Sequence, residues 1–341
     1  MTTRGDSGPS IWWWAFGYFA AYAPYAALTK AITSGLLGDG RAPPTGVELL
    51  PISVAATVTT AILFLWLTGW WRHARKPVGR WQVPLPSKLT ALSGLCSAGI
   101  IATTTLAYTF EGVSIVYVML LMRGGLLMMA PGIDALTGRK IAWYSLVALA
   151  LSAAALATAV SGAGGFAISR ACAIDIALYL FCYFVRLQLM SRKAKSTEPG
   201  ANLRYFVEEQ LVSSPVLLLG LVVWASVGSG AFAHELHTGF TTFLDRPEWA
   251  WAILIGVMSQ GTGIFGGLIL LDKRENTFCV PVNRASSVLA GVIATTAVWQ
   301  IFGGKHPRGT ELLGAAIMIG AILVLSLGGL HAKGRARSRT P

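Results

Sequence analysis

From Ile11 to Leu330 the chain runs as a series of apolar stretches separated by short segments that carry nearly all of its charge. Each stretch is about 20 residues long, the length an α-helix needs to cross the hydrocarbon of a bilayer. In lipid every backbone polar group must be satisfied inside its own segment, so such a chain is restricted to spanning helices. Composition agrees: 54% of the 341 residues are hydrophobic and 12% are charged, and the mean hydropathy is +0.60. A water-soluble enzyme carries about a quarter charged residues. The expectation is therefore an all-α, polytopic membrane protein forming one membrane domain over residues 1–341, with no room for a second folded domain.

Windows bounded by charge, glycine and proline give ten candidate spans. The first five are Ile11–Leu37, Leu50–Trp71, Leu89–Tyr108, Val113–Leu136 and Ile141–Ala159; the second five are Cys172–Met190, Phe206–Val227, Trp249–Leu271, Thr277–Phe302 and Glu311–Leu330. Met1 to Ser10 has no short hydrophobic core with a cleavage site, and the run after it is too long for a signal peptide, so the first helix reads as retained. With an even number of spans the basic loops can be assigned to alternate sides. One side collects Arg4, the Arg72–Lys88 loop, Arg139 and Lys140, the Arg192–Arg204 loop, Lys273 and Arg274, and a basic tail over residues 331–341. The other holds only Arg41, Arg170, Arg246, Lys305 and Arg308. By the positive-inside rule both termini are expected in the cytoplasm, in a bacterial inner membrane.

That distribution accounts for most of the net charge of +12. Nucleic-acid binding needs clustered cations interleaved with stacking aromatics, and these cations are spread over every cytoplasmic loop. Membrane lipids are the expected contact of the tail and of the tryptophans near span ends. The four cysteines, Cys96, Cys172, Cys182 and Cys279, lack paired spacing and read as buried thiols. The five histidines fall in loops or the tail, a zinc site from His234 and His237 lacks further ligands, and no phosphate-binding glycine loop is present. Neither an enzyme nor a metal or other cofactor is expected.

Ten spans divide into two sets of five, residues 11–160 and 172–330, and an odd number per half inserts the second half upside down. The halves match in places. The third and fourth spans of each meet through a short polar link, Thr109 to Gly112 and Asp272 to Asn276. Both fourth spans carry an arginine followed by small residues, Arg123-Gly124-Gly125 and Arg284-Ala285-Ser286, and both fifth spans are rich in alanine and leucine. In these links, in the starts of the fourth spans at Val113–Val116 and Thr277–Asn283, and in the glycine-bearing last span around Leu312–Ala315, the chain resembles the drug/metabolite transporter superfamily, the ten-helix EamA-like and nucleotide-sugar-transporter-like proteins. The resemblance covers nearly the whole chain. It implies a secondary transporter that opens alternately to two sides, around a cavity walled by spans 1, 3, 4, 6, 8 and 9.

An ionised side chain at membrane depth costs about 3 kcal/mol on insertion scales, so each such residue is a candidate site residue. Four cations qualify: Lys30, Arg123, Arg186 and Arg284, on spans 1, 4, 6 and 9, while the acidic residues all read as lying near span ends. Unpaired buried cations call for an anion, and a phosphorylated or carboxylated small-molecule substrate would supply it. Arg186 can instead snorkel to the interface, and Lys30 can reach the outer interface or helix carbonyls. Asp134 or Glu275 could neutralise either deeper arginine. Asn283, Gln260, Tyr25, Tyr117 and Tyr183 complete the candidate site, with Tyr22 and Tyr179 on the same spans. The expected function is transport of a small organic anion; the alternatives are an EamA-like exporter of amino acids or neutral metabolites, and a non-transporting membrane scaffold or lipid-handling protein. The sequence leaves the oligomeric state open.

Overall fold

A computed structural model describes residues 11–37, 41–78, 80–106, 115–161, 169–196, 198–303, 306 and 309–337. Among them the chain is helical almost throughout. Eleven α-helices follow one another: α1 (Ile11–Thr33), α2 (Gly46–Leu67), α3 (Lys88–Leu106), α4 (Ile115–Leu136), α5 (Trp143–Ser161), α6 (Arg170–Leu189), α7 (Ala201–Val227), α8 (Ala231–Phe240), α9 (Trp249–Leu270), α10 (Asn276–Phe302) and α11 (Gly309–Arg337). Five of them, α2, α6, α7, α9 and α10, are long and apolar enough to cross a membrane.

Ten of the helices coincide with the ten apolar stretches to within several residues. The differences have local causes. A capping box starts α2 at Gly46: Thr45 Oγ1 accepts from the Glu48 backbone N–H at 3.2 Å while the Glu48 carboxylate accepts from the Thr45 N–H, also at 3.2 Å. Ser169 likewise caps α6, accepting from the Cys172 N–H. Two elements are absent from the pattern of long apolar runs. The segment after α2 folds into a two-stranded antiparallel hairpin, β1 (Arg75–Val78) with β2 (Trp81–Pro84). His234 and His237, read from sequence as loop residues, stand on α8, a ten-residue helix whose buried face is Ala233, Leu236 and Gly239. The basic tail is not separate from the last span, because α11 continues to Arg337.

The helices pack in a swapped pattern: α1 lies against α9 and α10, and α6 lies against α3 and α4. Outside these, α2 packs on α9 and α7 on α3, while α5 and α11 pack on each other and α2 also meets α7. Small residues permit the approach, as expected where packing rather than expulsion of water drives association. A Cβ on Gly94 of α3 would sit 2.6 Å from Val212 of α7, and one on Gly256 of α9 would strike the Ser53 carbonyl of α2. The core of the bundle is formed by Met122, Leu126, Leu127 and Ile133 of α4 with Leu187, Phe206, Ile269 and Phe278. All four cysteines are free and buried within it or beside it.

Candidate functional site

The centre of the molecule is a cluster of tyrosines and two arginines drawn from four helices. Tyr18, Tyr22 and Tyr25 lie on one side of α1, spaced three or four residues apart so that their rings stack along it. Tyr18 and Tyr22 are stacked at 5.6 Å, and Tyr22 meets Tyr25 edge-on at 5.7 Å. On α6, Tyr179 and Tyr183 meet at 4.9 Å. Arg123 of α4 donates from Nη2 to Tyr22 Oη at 3.1 Å, and Arg284 of α10 donates from Nη2 to Tyr183 Oη at 3.2 Å. Each pair is separated by 101 residues. One shift of 161 residues carries Tyr18 to Tyr179, Tyr22 to Tyr183 and Arg123 to Arg284.

The guanidinium groups feel each other's charge, and Tyr18 and Tyr179 each feel both arginines. No carboxylate forms an ion pair with either arginine among the described residues. Arg284 is 8% exposed, and its Nε is buried with no hydrogen-bond partner. Its neighbour Asn283 is also buried, with Oδ1 unpartnered. The Asn283 amide lies beside Tyr18 where α9 passes closest, since a Cβ on Gly266 would come within 3.2 Å of Nδ2 and 2.8 Å of the Tyr18 ring.

The acids that could have neutralised these arginines are engaged elsewhere. Asp134, fully buried at the end of α4, accepts from the backbone N–H and Nδ2 of Asn276 and from the N–H and Oγ1 of Thr277, at 2.7–2.8 Å. It thus satisfies the free N–H groups at the start of α10 and places a negative charge at the positive end of that helix. Lys195 braces the same junction, donating to the Arg274 carbonyl and to Asn276 Oδ1. Glu275 accepts from Ser145 Oγ at 2.8 Å.

Arg186 differs from the other two arginines. Its Nε and Nη2 engage both oxygens of Glu209 on α7, at 2.7 and 3.0 Å. Ser93 and Ser97 of α3 donate to the same carboxylate, and Tyr205 Oη donates to Ser93. Glu209 reaches Arg186 from the third turn of α7, which begins at Ala201, five residues before the apolar run, so the expectation of cations without an acid at their level fails at Arg186. Lys30, two turns beyond Tyr22 on α1, makes a 3.4 Å contact to Thr295 Oγ1 of α10 and no ion pair with an acid among the described residues. Gln260 is buried on α9. Tyr117 belongs to the backbone of α4, and its side chain lies outside the described residues.

The cluster therefore unites Arg123, Arg284, Tyr183, Asn283 and Tyr25 from the expected residues, adds Tyr22 and Tyr179, and includes Tyr18, which sequence reasoning missed. The constant shift between the halves is the signal that points to it. Burial differs between the two helices. Every residue of α10 from Asn276 to Ser287 is buried, whereas every residue of α1 from Tyr22 to Lys30 is half-buried. A separate apolar cavity of about 280 Å³ lies between α2, α3, α7 and α8, lined by Leu50, Leu95, Leu217, Leu221, Trp224 and Phe232 among others.

No family model and no curated protein matches the chain. A solved structure described as "Crystal structure of protein" is similar in fold, with a TM-score of 0.56 and 14% identity over 93% of this chain and 96% of that one. At that identity the likeness concerns the fold alone.

Proposed function

We propose that the chain is an integral membrane protein of ten spans, built as two inverted five-helix repeats, and that it is a secondary transporter moving a small organic anion by alternating access. The shift of 161 residues supports the repeat: it carries α3 onto the start of α9 and α4 onto the start of α10, and α1, α2 and α5 to within several residues of α6, α7 and α11. The swapped packing of α1 on α9 and α6 on α3 follows from the same relation. In this reading α8 is an addition outside the repeat, and both termini face the cytoplasm. Transporters of this build bind substrate near the midplane, at the interface of the repeats.

The observation that carries the reading is the pair of arginines, each held by a tyrosine from the first helix of its own repeat and neither balanced by an acid among the described residues. A buried cation without a partner is costly, and a visiting carboxylate or phosphate relieves that cost by charge-assisted hydrogen bonds. The half-buried face of α1 from Tyr22 onward gives the anion a route from one end, and the Asp134 junction seals the other. Reconstitution into liposomes with uptake of labelled phosphorylated metabolites, carboxylates and amino acids tests this. Anion uptake abolished by Arg123→Gln supports the reading, and uptake of neutral amino acids alone overturns the anion assignment. The apolar cavity under α8 favours a second reading, lipid handling. Co-purified phospholipid that resists detergent exchange, with no anion uptake, would support it.

A further inference from the structure

We propose that Arg123 and Arg284 are two arms of one site, and that this site takes a single doubly charged anion held between them. The inference rests on the transporter reading above and concerns the charge its substrate must carry.

The arms are copies of each other. Each guanidinium gives one Nη2–H to a tyrosine hydroxyl 101 residues earlier, on the first helix of the same half. They also meet through α1, because Tyr18 stacks at 5.6 Å on Tyr22, the partner of Arg123, and lies beside Asn283, the neighbour of Arg284. The pair is unbalanced. No carboxylate pairs with either arginine among the described residues, and Arg284 Nε is buried without a partner.

A guanidinium has five N–H donors in a planar fork, so the single bond to tyrosine leaves most of each fork free. Arginine forks match the paired oxygens of carboxylate and phosphate. A monoanion can neutralise one arm only and leaves the other charge, and much of the repulsion, uncompensated among the aromatic rings. A dianion cancels both charges at once and turns the repulsion into two attractions. The shared chemistry is two negative charges on one small molecule. Two kinds of molecule provide it: a short dicarboxylate, with one carboxylate on each arm, and a phosphomonoester, whose terminal oxygens divide between the arms. The unpartnered Asn283 Oδ1, next along α10 from Arg284, would accept from a hydroxyl or amine on the body of the molecule.

The test compares each dianion with its singly charged methyl ester on the same skeleton: succinate with monomethyl succinate, and glycerol 3-phosphate with its methyl phosphodiester. Binding to the full-length protein in detergent is read from calorimetry and from the shift in unfolding midpoint. We expect one of the two dianions to bind at least about tenfold tighter than its methyl ester, as a charge-assisted hydrogen bond gained would require. Succinate winning identifies a dicarboxylate site, and glycerol 3-phosphate winning identifies a phosphomonoester site. Arg123→Gln and Arg284→Gln should each lower the affinity for that dianion by about ten- to a hundredfold and by similar factors, leaving dianion and methyl ester alike. Equal binding of dianion and methyl ester to the unmodified protein overturns the inference while leaving anion transport intact, and this comparison needs no variant to fold. Loss confined to one of the two variants overturns the two-armed site. Absence of binding by all four probes, together with no anion uptake in liposomes, overturns both this inference and the transporter reading.

Discussion

The contrast between Arg186 and the two central arginines makes a quantitative prediction about stability. Arg186 and Glu209 are both buried, with side chains 13% and 4% exposed, and the pair is bidentate. Removing one member of such a pair leaves an uncompensated buried charge and costs about 3–5 kcal/mol. Glu209→Leu strands the guanidinium, and Arg186→Met strands a carboxylate that keeps only Ser93 and Ser97 as donors. If the two effects were independent the double variant would lose about 6–10 kcal/mol, the sum of two such penalties. With both charges gone, the remaining penalty is the loss of acceptor for Ser93 and Ser97, about 1 kcal/mol each. The combination of Arg186→Met with Glu209→Leu should therefore cost about 2–3 kcal/mol, less than either single change. Equilibrium unfolding in mixed micelles, followed by helical circular dichroism, gives all four corners of the cycle. Additivity of the two single effects to within about 0.5 kcal/mol would refute the claim that Glu209 neutralises Arg186.

Three further outcomes follow from the same geometry. Arg123→Gln gives up one hydrogen bond, to Tyr22, and relieves a repulsion with Arg284, so in the same micelle assay it should cost less than about 1.5 kcal/mol; a loss comparable with that of Arg186→Met would mean that an acid partner holds it. Asp134→Ala removes the acceptor of four hydrogen bonds at the start of α10 and should destabilise by about 3 kcal/mol, with faster amide exchange at Asn276 and Thr277 as the local readout. Gly94→Ala drives a Cβ to 2.6 Å from Val212 and should cost about 1–3 kcal/mol, whereas Gly220→Ala beside the apolar cavity meets nothing within 4 Å and should be neutral or stabilising by up to about 1 kcal/mol; unfolding midpoints that rank the two in the opposite order would contradict the packing.

What could be read from the chain before its structure follows the strength of each physical signal. Long apolar runs and their charged boundaries locate the long helices well, because burial of backbone polar groups in lipid leaves few alternatives. Short elements outside those runs escape the same reasoning: α8 has only ten residues, and the β1–β2 hairpin sits in a segment whose charges look like a loop. At the site, the residues that stood out were the costly ones, Arg123 and Arg284, since a charge in an apolar stretch is conspicuous. Their partners were less legible. A tyrosine in an aromatic helix such as α1 is one ring among many, and Tyr18 becomes distinctive only beside Tyr179 at the matching position of the other half. Glu209 was misjudged for a different reason. Depth along a helix is counted from its first turn, and Asn202, Arg204 and the other polar residues that open α7 hide where that turn begins.

Arg123, Arg186 and Arg284 show that the same side chain acquires its role from what surrounds it. Arg186 is closed: both oxygens of Glu209 occupy its fork, and the serines behind fix the carboxylate, so a passing anion would have to displace a bound one at full desolvation cost. Arg123 and Arg284 are held by neutral phenols, which orient a guanidinium and leave its charge uncompensated. A phenol partner is a weaker competitor than a carboxylate, since it offers the guanidinium a dipole and no opposite charge. An incoming anion can thus gain two charge-assisted contacts while the tyrosines keep the forks in place. In the proposed transporter reading, the repetition of this arrangement in both halves bears on the cycle as well as on affinity. If the halves exchange conformations when the protein turns from one side to the other, each arm takes the place of its copy, and the anion meets the same two forks in either state.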